Sequence, residues 1–138
     1  MGSRLLAIFL AAAPLLMGQA PHNPPSESDP RYDSTTSVDI IMIVETTRDV
    51  ANGSPLAGTH LFARPETAKE GKDILDVYLG PADFIKGFGV TFAKGDRIHV
   101  FGSKVKFDGR FLILAKEVRR DSVTLYLRDA QGKAYWKE

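Results

Sequence analysis

A tight turn between two strand-like runs is the feature that most constrains the fold of this chain. Lys94-Gly95-Asp96-Arg97-Ile98-His99-Val100-Phe101-Gly102-Ser103 alternates apolar and polar residues, and Phe107-Asp108-Gly109-Arg110 follows it. An Asp-Gly pair between such runs is a strong hairpin signal. Gly102 lies in the middle of the first run, where a glycine often marks a bulge or a sharp bend. We therefore expect a bent hairpin of a small β-barrel, with strands over 97–107 and 110–118.

The other apolar segments also have strand-like patterns. Val38–Thr47 is rich in β-branched residues, and three further segments alternate with a period of two, namely 59–64, 73–79 and 123–128. Pro81–Lys86 suits a short helix, because proline is well placed in a first helical turn. The final Tyr135-Trp136 pair is expected to fold back over an open end of the barrel. The order is thus three strands, one helix, two strands and a further strand.

The N-terminus has the pattern of a secretory signal peptide. Arg4 precedes an uncharged apolar run over 5–17, and Gly18-Gln19-Ala20 supplies small residues before a cut after Ala20. A run of this length is shorter than the roughly 18–20 residues that span a bilayer. We therefore expect cleavage and no membrane span in the mature protein. An uncleaved anchor or a buried N-terminal helix is the alternative.

Composition then narrows the class of protein. The chain has no cysteine, which excludes disulfides and thiolate ligands. Residues 21–36 are rich in proline and are predicted to be a flexible spacer, leaving 37–138 as one barrel domain. The chain has 18 basic and 17 acidic residues, so removal of Arg4 leaves the two equal. A nucleic-acid partner is therefore not favoured, since such proteins usually show a basic excess.

This order of elements resembles the OB-fold, a five-stranded Greek-key barrel with a helix between its third and fourth strands. The segment 94–102 resembles the fourth strand of that family, and 107–110 resembles its following hairpin. The resemblance covers residues 38–128 and is to small exported bacterial OB-fold proteins. It predicts an all-β barrel of five to six strands.

The resemblance also implies where a partner would bind. In OB-folds partners usually lie across the second and third strands and between the loops after strands one and four. On this chain that surface comprises His60, Phe62, Arg64, Asp76 and Tyr78, beside a basic loop with Lys104, Lys106 and Arg110. Aromatic rings there could stack a planar ligand, and the basic groups could contact an anion. The alternative is an ordinary outer face of a β-sheet.

No motif in the sequence names a reaction or a cofactor. A nucleophile elbow, a zinc-protease helix and a phosphate-binding glycine loop are all absent from the sequence. His60 and His99 fall on predicted strands, and with Asp76 they could form a metal site if the barrel brought them together. We predict no cofactor and no catalysis.

The sequence therefore predicts an exported, non-catalytic binding module of the cell envelope, secreted or periplasmic. Its partner would be a protein, a peptide or a small anionic ligand held on the outer face of strands two and three. Binding of single-stranded nucleic acid or another polyanion is an alternative, and metal or haem handling through His60 or His99 is another.

Overall fold

The computed structural model describes residues 31–137, which fold as a small all-β barrel with one short helix, as predicted. After a 3-10 turn at Ser34–Thr36, the elements are β1 (Ser37–Val50), β2 (Gly58–Pro65), β3 (Leu75–Gly80), α1 (Ala82–Lys86), β4 (Arg97–Phe107), β5 (Arg110–Arg120) and β6 (Val123–Tyr126). The helix follows Pro81 and ends at Gly87, between the third and fourth strands.

The five longest strands close on themselves. The strand order is β3-β2-β1-β4-β5-β6, and β3 also pairs with β5. This closing pair is parallel, with Val77 opposite Ile113, whereas the other pairs are antiparallel. β6 adds to β5 as an extra strand outside the closed ring. The architecture is compatible with the OB-like barrel that the sequence resembles.

The hairpin between β4 and β5 has the geometry that its sequence predicts. Asp108 and Gly109 both have positive φ, at 51° and 77°, as a two-residue type I′ turn requires. The β4–β5 register shifts between Phe101 and Gly102, so the predicted irregularity at Gly102 is confirmed. A Cβ atom at Gly102 would lie 2.3 Å from the Leu114 carbonyl oxygen, which explains why glycine stands there.

The barrel interior is a continuous aliphatic core. Its fully buried members come from all six strands and the segment after β6, including Met42, Leu61, Val77, Ile98 and Leu125. Phe84 and Ile85 of α1 also pack against this core. Burial of these side chains supplies the main stabilisation, at about 25 cal/mol per Å² of apolar surface removed from water.

A second apolar cluster covers part of the barrel's outside. It contains Leu56, Tyr78, Val105, Leu112 and Leu114, and the rings of three more aromatic residues pack on it, namely Tyr32, Phe107 and Trp136. β3 is consequently buried on both faces from Asp76 to Gly80. The sequence predicted a solvent-facing outer side for β3, and this part of the prediction is wrong, because the β1–β2 loop and the chain after β6 fold over that side.

The predicted signal peptide and most of the predicted spacer lie outside the described residues. The last part of that spacer, 31–36, is held on the barrel: Tyr32 packs on the second cluster, and Ser103 Oγ donates to the Asp33 carbonyl at 2.6 Å. Within residues 31–137, helix length and hydropathy give no candidate for a membrane-crossing helix.

Candidate functional site

A cleft of about 640 Å³ opens between the β1–β2 loop and the start of α1. The end of β1 and the loop form one wall, with Asp49 and Asn52 among its residues, and Pro81 and Asp83 form the other. Tyr78 and Trp136 are the aromatic residues of the lining. None of the described residues that line this cleft is basic, and two of them, Asp49 and Asp83, are acidic.

The loop wall is held by a buried leucine and by two polar side chains from the sheet. Leu56 is 4% exposed and packs in the second cluster. His60 Nε2 lies 2.7 Å from the Leu56 carbonyl oxygen, and Tyr78 Oη donates to the Ala57 carbonyl oxygen at 2.9 Å. The shape of the cleft therefore depends on side chains of β2 and β3 that lie beneath the loop.

His60 is positioned as a doubly protonated imidazole. Its Nδ1 lies 2.7 Å from Asp76 Oδ1, and its Nε2 faces the Leu56 carbonyl. A carbonyl and a carboxylate both accept hydrogen bonds, so each ring nitrogen carries a proton. His60 is 3% exposed and Asp76 is 9% exposed, which makes the pair a buried ion pair. With both nitrogens occupied, His60 offers no free base to a substrate.

The pKa of His60 is raised above its ordinary value. Burial alone lowers the pKa, but the hydrogen bonds to Asp76 and to the Leu56 carbonyl outweigh it. The positive charge of nearby Arg48 also lowers the pKa of His60 without reversing the net shift.

Stability should consequently fall as the pH rises. The folded protein binds the His60 proton more tightly than the unfolded chain does. The stabilisation that this proton provides is therefore complete below the pKa of the unfolded histidine, about 6.5, and is lost as the pH rises through the raised pKa of the folded protein. Denaturant melts between about pH 6 and pH 9 should show a decreasing free energy of unfolding. A free energy that increases over this interval would contradict the assignment.

Trp136 lines the cleft and packs against neighbouring side chains. Its ring lies 5.3 Å from that of Phe84 and 6.3 Å from that of Tyr78, between centroids. The Arg128 guanidinium carbon lies 5.1 Å from the Trp136 ring. Burial lowers the pKa of Arg128, which the nearby Tyr78 and Tyr32 phenols partly oppose. Of the Tyr135-Trp136 pair that was expected to fold back, Trp136 packs onto the barrel, whereas Tyr135 is 56% exposed.

The structure separates the predicted site residues into three groups. His60 and Tyr78 share the outer face of β2 and β3, as expected, but both lie beneath the loop. Phe62 is half-buried on the same face, with the Arg48 guanidinium 5.1 Å from its ring. Arg64 is held elsewhere, because its Nε donates to Glu45 at 2.8 Å and its Nη1 donates to the Ala68 carbonyl.

The predicted basic loop is a separate surface. Lys104, Lys106 and Arg110 are exposed at the end of the β4–β5 hairpin. Lys104 pairs with Ile113 and Lys106 with Phe111, on the face of the hairpin opposite Val105 and Leu112. Arg110 is opposite Phe107 and therefore shares the face of Val105 and Leu112. The two lysines do not extend the face that contains His60 and Phe62.

The two histidines do not form a shared metal site in the structure. His60 is bound to Asp76, whereas His99 forms an ion pair with Asp39 on the outer side of β1 and β4. The register places His60 beside Arg48 and His99 beside Ile41, at distant points of β1. No group of three potential metal-ligating residues occurs in the part of the chain that the structure describes.

Of the predicted site residues only Tyr78 lines the cleft, and sequence reasoning missed the other residues of the lining. Asp49 stands at the end of a strand and Asp83 in a short helix, and Leu56, which holds the loop, stands in a segment without periodicity. The one signal of the cleft in the sequence was Trp136, the only tryptophan of the chain. A large aromatic side chain in a polar terminal segment usually packs against other residues of the protein.

Comparison with known families gives one match. Residues 67–125 resemble the MamS/MamX magnetosome protein family. The matched segment is less than half of the chain and runs from the loop before β3 into β6, so it includes α1 and the β4–β5 hairpin. No curated protein and no solved structure matches the chain closely enough to indicate kinship.

Proposed function

We propose that this protein is a non-catalytic binding module of the bacterial cell envelope whose ligand occupies the cleft between the β1–β2 loop and α1. The observation that supports this most directly is a cleft of about 640 Å³ with two aromatic residues in its lining. Binding sites are typically concave, largely preformed and lined by a few polar groups among apolar ones. The resemblance to a magnetosome protein family supports a bacterial, envelope-associated protein.

The charges of the lining favour a cationic group on the ligand. Asp49 and Asp83 are carboxylates, and no arginine, lysine or histidine is among the described residues that line the cleft. A small anion would meet repulsion there, whereas a lysine or arginine side chain of a peptide would meet complementary charge. We therefore propose a protein or peptide ligand with a basic side chain, in place of the anionic ligand that the sequence suggested.

The proposal of a non-catalytic role is supported by the chemistry of the same region. The buried His60 has hydrogen bonds at both ring nitrogens, and the nearest hydroxyl of the loop, Ser54 Oγ, accepts a bond from the Leu56 amide at 3.1 Å. A serine nucleophile is usually activated by an adjacent general base, most often a histidine with a free ring nitrogen. His60 does not provide one.

Tryptophan fluorescence provides a direct test, since Trp136 is the single tryptophan and lies at the cleft. The protein is titrated with capped pentapeptides of sequence Gly-X-Gly-X-Gly, in which X is lysine, glutamine or glutamate. We expect saturable changes in emission with the lysine peptide and none with the glutamate peptide. No change with any of the three, or a response to the glutamate peptide alone, would contradict the proposal.

Removal of the two cleft carboxylates tests the same assignment by mutation. The double variant Asp49→Asn/Asp83→Asn should bind the lysine peptide about tenfold more weakly, because each partly exposed charge pair contributes up to roughly 1 kcal/mol. Asp73→Asn/Asp121→Asn is the matched control, since it removes two exposed carboxylates that do not line the cleft. Equal loss in both variants would show a general charge effect and would overturn the role of the cleft.

A further inference from the structure

The end of the β4–β5 hairpin forms a basic and aromatic surface that the cleft does not use. We define the hairpin patch as Lys104, Lys106, Arg110 and Phe111. All four residues are exposed, and Phe111 is 57% exposed. Within the described residues, none of the three basic side chains has a carboxylate partner in an ion pair.

The hairpin patch projects from the barrel. β1 pairs with β4 as far as Ser103, and β3 pairs with β5 only over Leu112–Leu114. The remaining residues of the hairpin, up to Phe107 and Arg110, pair with one another. β4 thus extends four residues, or roughly 13 Å, beyond its pairing with β1, and β5 extends two residues beyond its pairing with β3.

Within this projection the Phe111 ring and the two lysines lie on one face, whereas Arg110, which is opposite Phe107, lies on the other face beside the turn. Lys106 is directly opposite Phe111, and Lys104 is two residues away on the same face. The two ammonium groups lie 5.1 and 5.9 Å from the centre of the Phe111 ring. An aromatic ring accompanied by lysine side chains is a combination suited to the boundary between lipid headgroups and acyl chains.

We propose that the hairpin patch docks on the surface of a membrane that contains anionic phospholipids, with Phe111 entering the interfacial layer. Lys104 and Lys106 contact the headgroups beside Phe111, and Arg110 contacts them from the opposite face of the hairpin end, because their negative charge attracts each basic side chain. This interaction is independent of the cleft, which lies on the side of the barrel formed by the β1–β2 loop and α1.

The shape of the surface favours a membrane over a nucleic acid. Single strands usually bind in grooves where successive bases stack on free aromatic faces. The hairpin patch lies at the end of a projecting hairpin, and its one exposed ring is already accompanied by two ammonium groups. His60 and Tyr78, which could have continued a stacking surface, are buried.

Vesicle flotation tests the proposal with the purified protein. Vesicles of phosphatidylcholine alone are compared with vesicles that contain phosphatidylcholine and phosphatidylglycerol at about 7:3. We expect binding to the anionic vesicles, at least about tenfold weaker binding to the neutral ones, and weakening with salt. Equal binding to both kinds of vesicle, or binding to neither, would overturn the proposal.

Variants of the hairpin patch separate specific docking from general adhesion. Lys104→Gln/Lys106→Gln should weaken vesicle binding about 25-fold, at about fivefold for each basic residue, and Phe111→Ala should weaken it several-fold. Lys86→Gln/Lys133→Gln and Tyr126→Ala are matched controls, since these lysines are exposed and Tyr126 is 59% exposed. The controls should bind as the unmodified protein does, and equal weakening in them would contradict the assignment.

A second titration measures whether the same residues bind a nucleic acid. Thirty-residue oligothymidylate replaces the vesicles in a titration at the same salt concentration. Binding of this strand that is lost in Lys104→Gln/Lys106→Gln, without binding to anionic vesicles, would replace the membrane by a nucleic acid as the partner. The fluorescence response of Trp136 to the lysine peptide should persist in every hairpin variant, so failure of this proposal and failure of the cleft are distinguishable.

Discussion

Replacement of Gly58 by alanine should destabilise the protein by at least about 4 kcal/mol or prevent folding, because the new methyl group has no space. Gly58 begins β2 beside the end of β3, where its φ is +131°. A Cβ atom there would lie 2.0 Å from the Gly80 carbonyl oxygen and 2.7 Å from Pro81 Cα. Both obstacles are backbone atoms, so relief requires a shift of the strand or of the helix start.

Gly53→Ala is the matched control for this substitution. Gly53 also has a positive φ, at +106°, but no atom lies within 4 Å of the position that its Cβ would occupy. Gly53→Ala should therefore lower the free energy of unfolding only by the backbone strain, about 1–3 kcal/mol. Denaturant melts of the two variants measure the difference, and similar free energies of unfolding would show that the close approach at Gly58 is not rigid.

Local signals in the sequence were sufficient to predict the barrel. The Asp108-Gly109 turn, the bend at Gly102 and the helix after Pro81 each depend on a few neighbouring residues, and the structure contains all three. Each has a steric cause that acts within its own segment, such as the positive φ that a type I′ turn requires.

Contacts between distant segments were not predictable in the same way. The alternation of 59–64 and 73–79 indicated one buried and one exposed face, yet Tyr78 is buried on the outer face. The groups that cover it come from the loop at Leu56 and from the terminal Trp136, and neither segment has a periodic pattern. Such covering depends on three-dimensional proximity, which hydrophobic periodicity does not encode.

Apart from Tyr78, the lining of the candidate site could not be predicted from the sequence for the same reason. Asp49 and Asp83 are ordinary residues of a strand end and a short helix, 34 positions apart in the chain. They line one cleft only because β3 returns beside β2 and leads into α1 opposite the β1–β2 loop. The basic residues near the hairpin, in contrast, are close in sequence and were recognised as a cluster.

Replacement of His60 by alanine should lower the free energy of unfolding by about 3 kcal/mol. The change leaves the Asp76 carboxylate buried without its partner and removes the donor to the Leu56 carbonyl. For a domain of this size that corresponds to a fall in Tm of roughly 12 °C. His99→Ala is the control, since His99 pairs with the exposed Asp39 and should contribute well under 1 kcal/mol.

The pH profile of the same variant distinguishes an ion pair from simple packing. In the unmodified protein stability falls with increasing pH, because folding raises the pKa of His60. His60→Ala should flatten that fall, whereas His99→Ala should retain it. Asp76→Asn should also flatten it, since the largest favourable contact of the imidazolium is lost. If His60→Ala lowered stability equally at every pH between about 6 and 9, the histidine would act through its volume alone, and the loop wall of the cleft would not depend on its charge.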